Sequence, residues 1–579
     1  MTQEPQANPA VRAAEEARQR ILSCIDKQRD FLVEAGAGAG KTYSLIETLS
    51  HLIATRGHDL LRRSQRVACI TFTNVAREEI ESRTDRHPAI LSSTIHAFCW
   101  LLIKDFQAFL RGKLPSVNNW SERLEPVGGI GARSISYDDL GYRAISETNV
   151  SLGHNDVLSL TVELMNQPKF RTILTNRFPI LLIDEYQDTD KMIAESLLMH
   201  LVGKEEGPLI GFFGDHWQKI YGTGCGKIEH PALTVIGKES NFRSVPAVVD
   251  VLKRMRPDLP QEVTDPKATG SAAVYHTNNW VGERRTGQHW AGDLPPDVAQ
   301  RYLDDLMERL RTEGWEFSEN RTKILLLTHK VLADRQGYAG IADAFPFNES
   351  YVKKEDQHIR FLVDTVEPVC VAYVQRQFGE MFAALGSHTP PIQSPRDKAT
   401  WAQDMDRLID LRKSGTIGAV MEHLARAKRP KLPESVEQRE KLLAAASPEE
   451  IADSSSLRSL QKLKNVAYEE IQHLSYFLDE HTPFSTKHGV KGAEFENVLV
   501  VFGRGWNLYN FGQFLEWAAD SIPKGKEEAF ERNRNLFYVV CSRPKKRLSL
   551  LFTQEVSPQA QVTLGRWFGQ DSIHALPAI

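Results

Sequence analysis

Two short segments carry the residue types that handle phosphate. Ala35-Gly36-Ala37-Gly38-Ala39-Gly40-Lys41-Thr42 has the spacing of a phosphate-binding loop, with alanine at the first position in place of the usual glycine. Glycines let successive backbone N–H groups curl around phosphate oxygens at the positive end of the following helix. Lys41 would reach the terminal phosphates of a nucleoside polyphosphate, and Thr42 would offer its hydroxyl to Mg²⁺. By average residue usage, a chain this long shows the loose pattern by accident roughly once in twenty times. The apolar strand before it and the helical pattern after it make accident rarer. Further along, Ile180-Leu181-Leu182-Ile183-Asp184-Glu185 ends an apolar run in two acids, at the strand edge where α/β sheets bind ligands. Asp184 would hold the metal's shell, while Glu185 would orient and deprotonate an attacking water. Alone, such a pair reads equally well as a solvated strand end; downstream of a phosphate loop that reading falls away. Phosphoryl transfer also needs positive charge in its transition state. Arg243, in Asn241-Phe242-Arg243-Ser244, and Arg543, at the end of Tyr538-Val539-Val540-Cys541-Ser542-Arg543, stand out only by their setting. On residues alone both read as surface arginines.

Positioning these groups requires strands that end at one edge of a sheet. Phe31-Leu32-Val33 precedes the glycine-rich turn, and Leu45, Ile46, Leu49, Leu52 and Ile53 follow at helical spacing, marking one buried helix face. Short apolar runs recur at residues 67–72, 180–183, 209–213 and 233–236. Set between helical patterns, they predict a parallel sheet covered on both faces. Runs at 324–328, 498–502 and 548–552 repeat the theme, so two α/β lobes are expected. Residues from about 105 to 165 show no clear strand series. Residues from about 346 to 477 are helical and charged, broken at Pro390-Pro391. Both stretches read as insertions.

Composition narrows the class. The chain has 579 residues, 41% hydrophobic and 25% charged, with a mean hydropathy of −0.36, as in a soluble globular protein of three or four structural units. No run of about 18 apolar residues suggests a membrane span. The polar N-terminal stretch lacks the apolar core of a secretory signal, so a cytoplasmic location is expected. The six cysteines include no C-x-x-C pair, which argues against a zinc or iron–sulfur site. Net charge is −4, so any nucleic-acid grip must come from local clusters such as Arg62 to Arg66, Arg426 to Lys431 and Arg543 to Arg547. Taken singly, each reads first as a solvated surface.

The order of segments resembles the UvrD/Rep/PcrA group of superfamily 1 helicases. Residues 70–74 with Ala76 and Glu79 are similar to motif Ia, and Thr94-Ile95-His96-Ala97-Phe98 to motif Ib. Asp184-Glu185-Tyr186-Gln187-Asp188 resembles motif II; Gly214-Asp215, Gln218 and Ile220-Tyr221 resemble motif III; and Asn241 to Ser244 resemble motif IV. Thr486, His488, Lys491-Gly492 and Glu494-Phe495 are similar to motif V, and Tyr538-Val539 with Ser542-Arg543 to motif VI. The resemblance implies ATP and Mg²⁺ in a cleft between two RecA-like lobes, each with a mainly helical insertion. Lobe 1A would comprise residues 1–104 and 166–250 around an insertion at 105–165. Lobe 2A would comprise 251–345 and 478–579 around a reduced insertion at 346–477.

Carried over position by position, the resemblance implies an ATP set of Lys41, Thr42, Tyr43, Asp184, Glu185, Gln218, Arg243, Glu494 and Arg543. Gln218 would sense the γ-phosphate, and Arg243 and Arg543 would reach it. Phe242 would stack on adenine, where the family usually has tyrosine. An adenine-reading glutamine should lie upstream of the loop, with Gln19 the candidate and Gln28 its rival. The DNA track would include Phe72, Thr73, Asn74, Thr94, His96 and His488, combining aromatic stacking with phosphate contacts. On residues alone, Phe72 is a core strand residue and His96 an ordinary polar contact.

Three departures stand out. Motif III continues as Gly222-Thr223-Gly224, so the family's DNA-stacking tryptophan is replaced by Thr223; Trp217 lies close by. Motif VI ends in Pro544 rather than alanine, and the second insertion lacks the family's duplex-contact signature. The resemblance implies an ATPase that moves 3′ to 5′ on single-stranded DNA or on DNA with a single-stranded tail, in repair or anti-phage defence. The stretch after Arg543 is too short for an appended nuclease, so any nuclease is expected on a separate chain. That is the arrangement in bacterial anti-phage systems such as Gabija, whose helicase subunits this chain resembles. The rival expectation is a regulatory ATPase subunit, gated by DNA and nucleotide, that licenses such a nuclease.

Overall fold

The computed structural model describes residues 8–579 apart from 138–140, 142, 221, 288–289, 327–332, 334, 347–348, 386–393, 480–483, 486–493 and 505–508. Two compact units emerge. One comprises Met1–Val274, Leu508–Leu548 and Ser557–His574; the other comprises Tyr275–Asn507, Ser549–Val556 and Ala575–Ile579.

In the first unit, strands β1 (Phe31–Ala35), β2 (Val67–Thr71), β3 (Ile90–Thr94), β4 (Ile180–Asp184), β5 (Leu209–Gly214) and β6 (Thr234–Lys238) form one sheet in the order β3-β2-β4-β5-β1-β6. Every neighbouring pair is parallel. Helices α1 (Pro9–Asp26), α2 (Lys41–Arg62), α3 (Asn74–Arg83), α4 (Ile95–Ile103), α5 (Pro246–Met255) and α6 (Glu527–Cys541) complete the parts that matter for the site.

The central strands β1, β2, β4 and β5 are largely apolar because both faces are covered. Alternate side chains point to opposite faces. Phe31, Val33, Cys69, Leu182 and Phe213 therefore pack with Leu45, Leu49 and Leu52 of α2. Leu32, Ala68, Ile70, Leu181, Ile183 and Phe212 join Phe98 and Ile103 of α4, with Trp120 and Leu158 of the following segment. Each such buried side chain contributes about 1.5–3 kcal/mol. Pairing register brings the carboxyl ends level: Glu34 lies beside Gly214, and Asp184 beside Phe213. The turn after β1 thus opens at the edge where β4 and β5 deliver their acids.

A second six-stranded sheet holds β7 (Ser271–His276), β8 (Thr322–Leu326), β9 (Phe484–Ser485), β10 (Phe495–Phe502), β11 (Pro544–Phe552) and β12 (Ile573–Ala575), in the order β9-β8-β10-β11-β7-β12. β8 is parallel to both β9 and β10. Between β8 and β9 the described residues are mainly helical, including Pro395–Ser414, Ile417–Ala427, Glu434–Ala445, Ser455–Lys464 and Glu469–Leu478. These helices have a core of their own around Trp401, Met405, Val420, Leu424, Leu460 and Ile471. The fold is α/β with two parallel sheets and helical insertions, the RecA-like phosphate-loop architecture expected from sequence.

The strands extend the sequence-predicted runs by one to three residues in most cases, while Phe72 falls just past β2. Residues 327 and 328 of the expected 324–328 run lie outside the described residues. Strands β3, β7, β9 and β12 were not foreseen, nor was the small three-stranded sheet of Ser134–Ser136, Ala144–Ile145 and Asn149–Ser151. Strands of two or three residues are too short to show a period of two. Among the described residues, no helix is long and apolar enough to cross a membrane.

Candidate nucleotide site

The glycine-rich turn leaves β1 at the buried Ala35 and enters α2 at Lys41. Gly38 and Gly40 adopt left-handed backbone angles, with φ of 76° and 74°, which residues with a Cβ rarely adopt. Sterics add to this. A Cβ on Gly38 would come within 2.8 Å of Arg243 Cβ and 2.9 Å of Asn241 Oδ1, and one on Gly36 within 2.7 Å of Gln261 Nε2. Those neighbours also hold the turn. Asn241 Nδ2 and Gln261 Nε2 each donate to the Ala37 carbonyl at 3.1 Å, and the Phe242 N–H donates to the Gly38 carbonyl at 2.9 Å. Within the turn, the Ala39 N–H donates to the Gly36 carbonyl at 3.1 Å.

Lys41 Nζ donates to Glu185 Oε2 at 3.0 Å, with the lysine side chain 11% and the glutamate 28% exposed. Burial pulls the Lys41 ammonium down, but Glu185, Asp215 and Asp184 outweigh it and hold the pKa above the ordinary lysine value. Glu185 sits at φ 48°, a left-handed conformation uncommon for a residue with a Cβ. The Gln187 amide holds it, with Nε2 donating to Glu185 Oε2 and Oε1 accepting the Asp215 N–H at 3.0 Å. Asp184 is buried at the end of β4, and Thr42 lies half-buried in the first turn of α2.

From Asp215 the network continues to both candidate arginines. Gln218 Nε2 donates to Asp215 Oδ2 at 2.8 Å, and Arg543 Nη2 donates to Gln218 Oε1 at 3.0 Å. Arg543 is 1% exposed and also donates from Nε to the Val539 carbonyl in α6. Burial, and then the neighbouring Arg243, bring its pKa down to about 9. Arg243 Nη1 donates to the Ser542 carbonyl at 3.0 Å, and Ser244 Oγ to the Pro544 carbonyl at 2.7 Å. The 241–244 segment is thereby bound at one end to the glycine-rich turn and at the other to the chain leaving α6.

Residues that sequence reasoning missed support this frame. Arg256, at the end of α5, donates from Nη1 to Asp215 Oδ1 at 2.6 Å and from Nη2 to Glu34 Oε1 at 3.1 Å. Burial alone would raise the Glu34 carboxyl. Hydrogen bonds from His216 and Tyr186, with the charges of His216 and Arg256, hold it at about 2. Glu34, Asp215 and His216 lie close enough to suggest a cation site, yet the Arg256 guanidinium already supplies the positive charge among these carboxylates. The only sequence signal was an acid near the end of β1.

Trp217 packs within this frame. Arg534 lies 4.3 Å and Arg256 5.3 Å from its ring centroid, and Tyr538 meets it edge-on at 5.4 Å. The ring is thus engaged with α5 and α6. Phe242 is 46% and Tyr43 59% exposed, and both approach within 3.8 Å of where a Gly40 Cβ would stand. Two accessible rings flank the start of α2. Gln19 is exposed on α1 and donates to Glu15 Oε1 at 3.3 Å; Gln28 is exposed at φ 52° just past α1.

The expected DNA-contact residues cluster at two helix starts. The Thr73 hydroxyl caps α3 by accepting the Ala76 N–H at 3.2 Å, and the Thr94 hydroxyl caps α4 by accepting the Ala97 N–H at 3.4 Å. Asn74 opens α3, and Phe72 is 38% exposed beside it. The His96 ring lies 4.8 Å from that of His154. Burial, and then His154, bring its pKa to about 4, so it is neutral at pH 7. His488 and Tyr221 lie outside the described residues, as do Thr486, Lys491 and Gly492. Glu494 is exposed, just before β10 in the second unit.

Comparison with known families agrees with this geometry. Residues 18–224 match the AAA domain family, and residues 304–555 match the UvrD-like helicase C-terminal domain. Together the two matches span most of the chain and support a resemblance to the UvrD-like superfamily 1 helicases. Among individual relatives, it is similar to the Gabija protein GajB of Bacillus cereus (strain HuB5-5), 24% identical over 93% of this chain and 95% of that protein. It is also similar to the ATP-dependent DNA helicase PcrA of Staphylococcus epidermidis, 25% identical over 50% of this chain and 45% of PcrA. The chain thus matches nearly the whole length of the first relative and less than half of the second.

Proposed function

We propose that this protein is an ATP-driven translocase that moves 3′ to 5′ on single-stranded DNA. The observation that carries the reading is one hydrogen-bonded system running Lys41–Glu185–Gln187–Asp215–Gln218–Arg543. It joins the residues needed to hold, hydrolyse and sense a terminal phosphate. The turn's glycines pack against Gln261, Asn241 and Arg243, where a Cβ would clash, and the cations around the turn suit an anion. Lys41 and the loop amides would hold the polyphosphate, with Tyr43 and Phe242 flanking the base. Thr42 and Asp184 would hold Mg²⁺, which draws charge from the phosphate oxygens. Glu185 would take the proton of the attacking water. Arg243 and Arg543 would stabilise charge on the transferred group, and Gln218 would report its presence to α6. In this reading residues 1–104 and 166–250 would form lobe 1A and 251–345 and 478–579 lobe 2A, although 251–274, 508–548 and 557–574 group with the first compact unit.

A DNA-stimulated ATPase assay paired with strand displacement on a 3′-tailed duplex tests the reading, with Lys41→Ala as the control that should abolish both. Displacement of a 5′-tailed duplex alone would overturn the direction. ATP hydrolysis that ignores DNA would overturn the translocase.

A second reading, a nucleotide-gated regulatory subunit working with a separate nuclease chain, draws on the engaged Trp217 ring and on Thr223 at the stacking position. It expects ATP turnover without strand displacement, and nuclease activity only when the partner chain is added.

A further inference from the structure

Lys238 ends β6, where register pairs it with Ala35, the residue at which β1 turns into the phosphate loop. Its side chain is buried, 2% exposed. Nζ donates to the Gly40 carbonyl at 3.0 Å and to Ser44 Oγ. Both partners are neutral. The acidic group whose charge acts on it is Glu47, further along α2.

This placement costs free energy twice. A desolvated ammonium bonded to neutral oxygens has given up hydration without a full counter-charge. It also sits at the first turn of α2, where the helix dipole is positive and a cation is disfavoured. Burial brings its pKa down to about 8. A group held at such cost calls for an anion nearby, and the turn it supports carries the left-handed Gly38 and Gly40 that let a phosphate-binding loop curl around an anion.

We propose that Lys238 is a second cation of the polyphosphate site: it fixes the left-handed Gly40 through its carbonyl and adds positive potential beneath the loop. The inference rests on the nucleotide reading above. Lys238 is a positioning residue. Its bonds reach the loop's Gly40 carbonyl, and its charge acts on bound phosphate through the turn.

The test compares Lys238→Met, which removes donor and charge, with Lys238→Gln, which keeps a donor for Gly40 and removes only the charge. ADP and a non-hydrolysable ATP analogue, each with Mg²⁺, are titrated by calorimetry, and melting is followed without nucleotide. Both variants should bind each nucleotide about tenfold more weakly, and the loss in turnover should fall more on KM than on kcat. Melting without nucleotide should be unchanged or raised, because an uncompensated buried charge has gone. Lys238→Gln that binds like the wild type would overturn the proposal, leaving only a hydrogen-bond role. A marked drop in its melting temperature would overturn it too. Wild-type protein that binds neither nucleotide would instead overturn the nucleotide reading itself.

Discussion

Glu185→Gln separates binding from chemistry. Lys41 Nζ lies 3.0 Å from Glu185 Oε2, with the two side chains 11% and 28% exposed. To engage a terminal phosphate, Lys41 must give up part of that pairing. At 3 Å and an effective dielectric constant of about 20, the bare attraction is about 5 kcal/mol. Desolvation of both charges offsets most of this in so largely buried a pair and leaves a net value of about 1 kcal/mol. Glutamine keeps the shape but removes the charge that competes for Lys41. ATP should therefore bind about fivefold more tightly. Turnover should fall by about 10²–10⁴-fold, the usual contribution of a positioned general base. Equilibrium binding of labelled ATP and single-turnover hydrolysis measure the two effects separately. Weaker ATP binding would show that Glu185 helps position Lys41 for phosphate rather than competing for it. Turnover above one-tenth of wild type would show that Glu185 is not the base.

The other predictions follow the same network. Arg543→Ala or Arg243→Ala should slow hydrolysis by about 10³-fold or more while weakening ATP binding far less, as expected of transition-state arginines; equal losses in kcat and affinity would argue for ground-state contacts. Thr223 is exposed and the neighbouring Gly222 has open space around it, so Thr223→Trp should fit. If DNA follows the family path, the added ring should tighten binding of a short single strand by about 1–3 kcal/mol, measured at fixed salt; no gain in a variant that still hydrolyses ATP moves weight to the regulatory reading. Glu34 has a folded pKa of about 2 against an ordinary 4.5, so its stabilisation is complete above about pH 4.5 and is lost as pH falls towards 2. Glu34→Gln should cost on the order of 2–3 kcal/mol at pH 7 and flatten the acid limb of a stability–pH curve; an unchanged limb would show that another carboxylate controls it.

Much of the candidate site was legible because its logic is local. The glycine-rich turn is written in consecutive residues, and so are the acids that end β4. The buried strands announced themselves as unbroken apolar runs, since a parallel sheet hides both faces. Asn241, Gln261, Arg256 and Lys238 were not legible as parts of the site. Each acts on a residue far away in sequence: Gln261 on the Ala37 carbonyl, Arg256 on Glu34, Lys238 on Gly40. No periodicity encodes such pairings. Trp217 shows the reverse case. It lies close in sequence to Thr223, which left open whether it replaces the stacking ring, and packing against Arg534, Arg256 and Tyr538 engages it inside the frame. The hydroxyls of Thr73 and Thr94 have two readings at once, because a residue that caps a helix also stands where its free amides can meet a phosphate.

The distribution of charge shows how one phosphate could govern the rest. Glu34 and Asp215 are both engaged by Arg256, and Glu185 is engaged by Lys41. Arg543 is buried, and the neighbouring Arg243 lowers its pKa further; Lys238 bonds only to neutral oxygens. These carboxylates are thus engaged within the frame, while Arg543 and Lys238 are buried cations held below their ordinary pKa. On the proposed nucleotide reading, an added polyphosphate would relieve that burden by an amount that depends on how many phosphates it carries. A ligand can shift an equilibrium only through its differential affinity for the two states, and on that reading the difference would fall on Arg543 and Gln218, the two groups through which the phosphate would be read. Gln218 is anchored to Asp215, and Arg543 to the Val539 carbonyl at the end of α6. Loss of the terminal phosphate would therefore act first on α6 and on the chain leaving it into β11, which makes this helix the element whose position should distinguish the triphosphate from the diphosphate state.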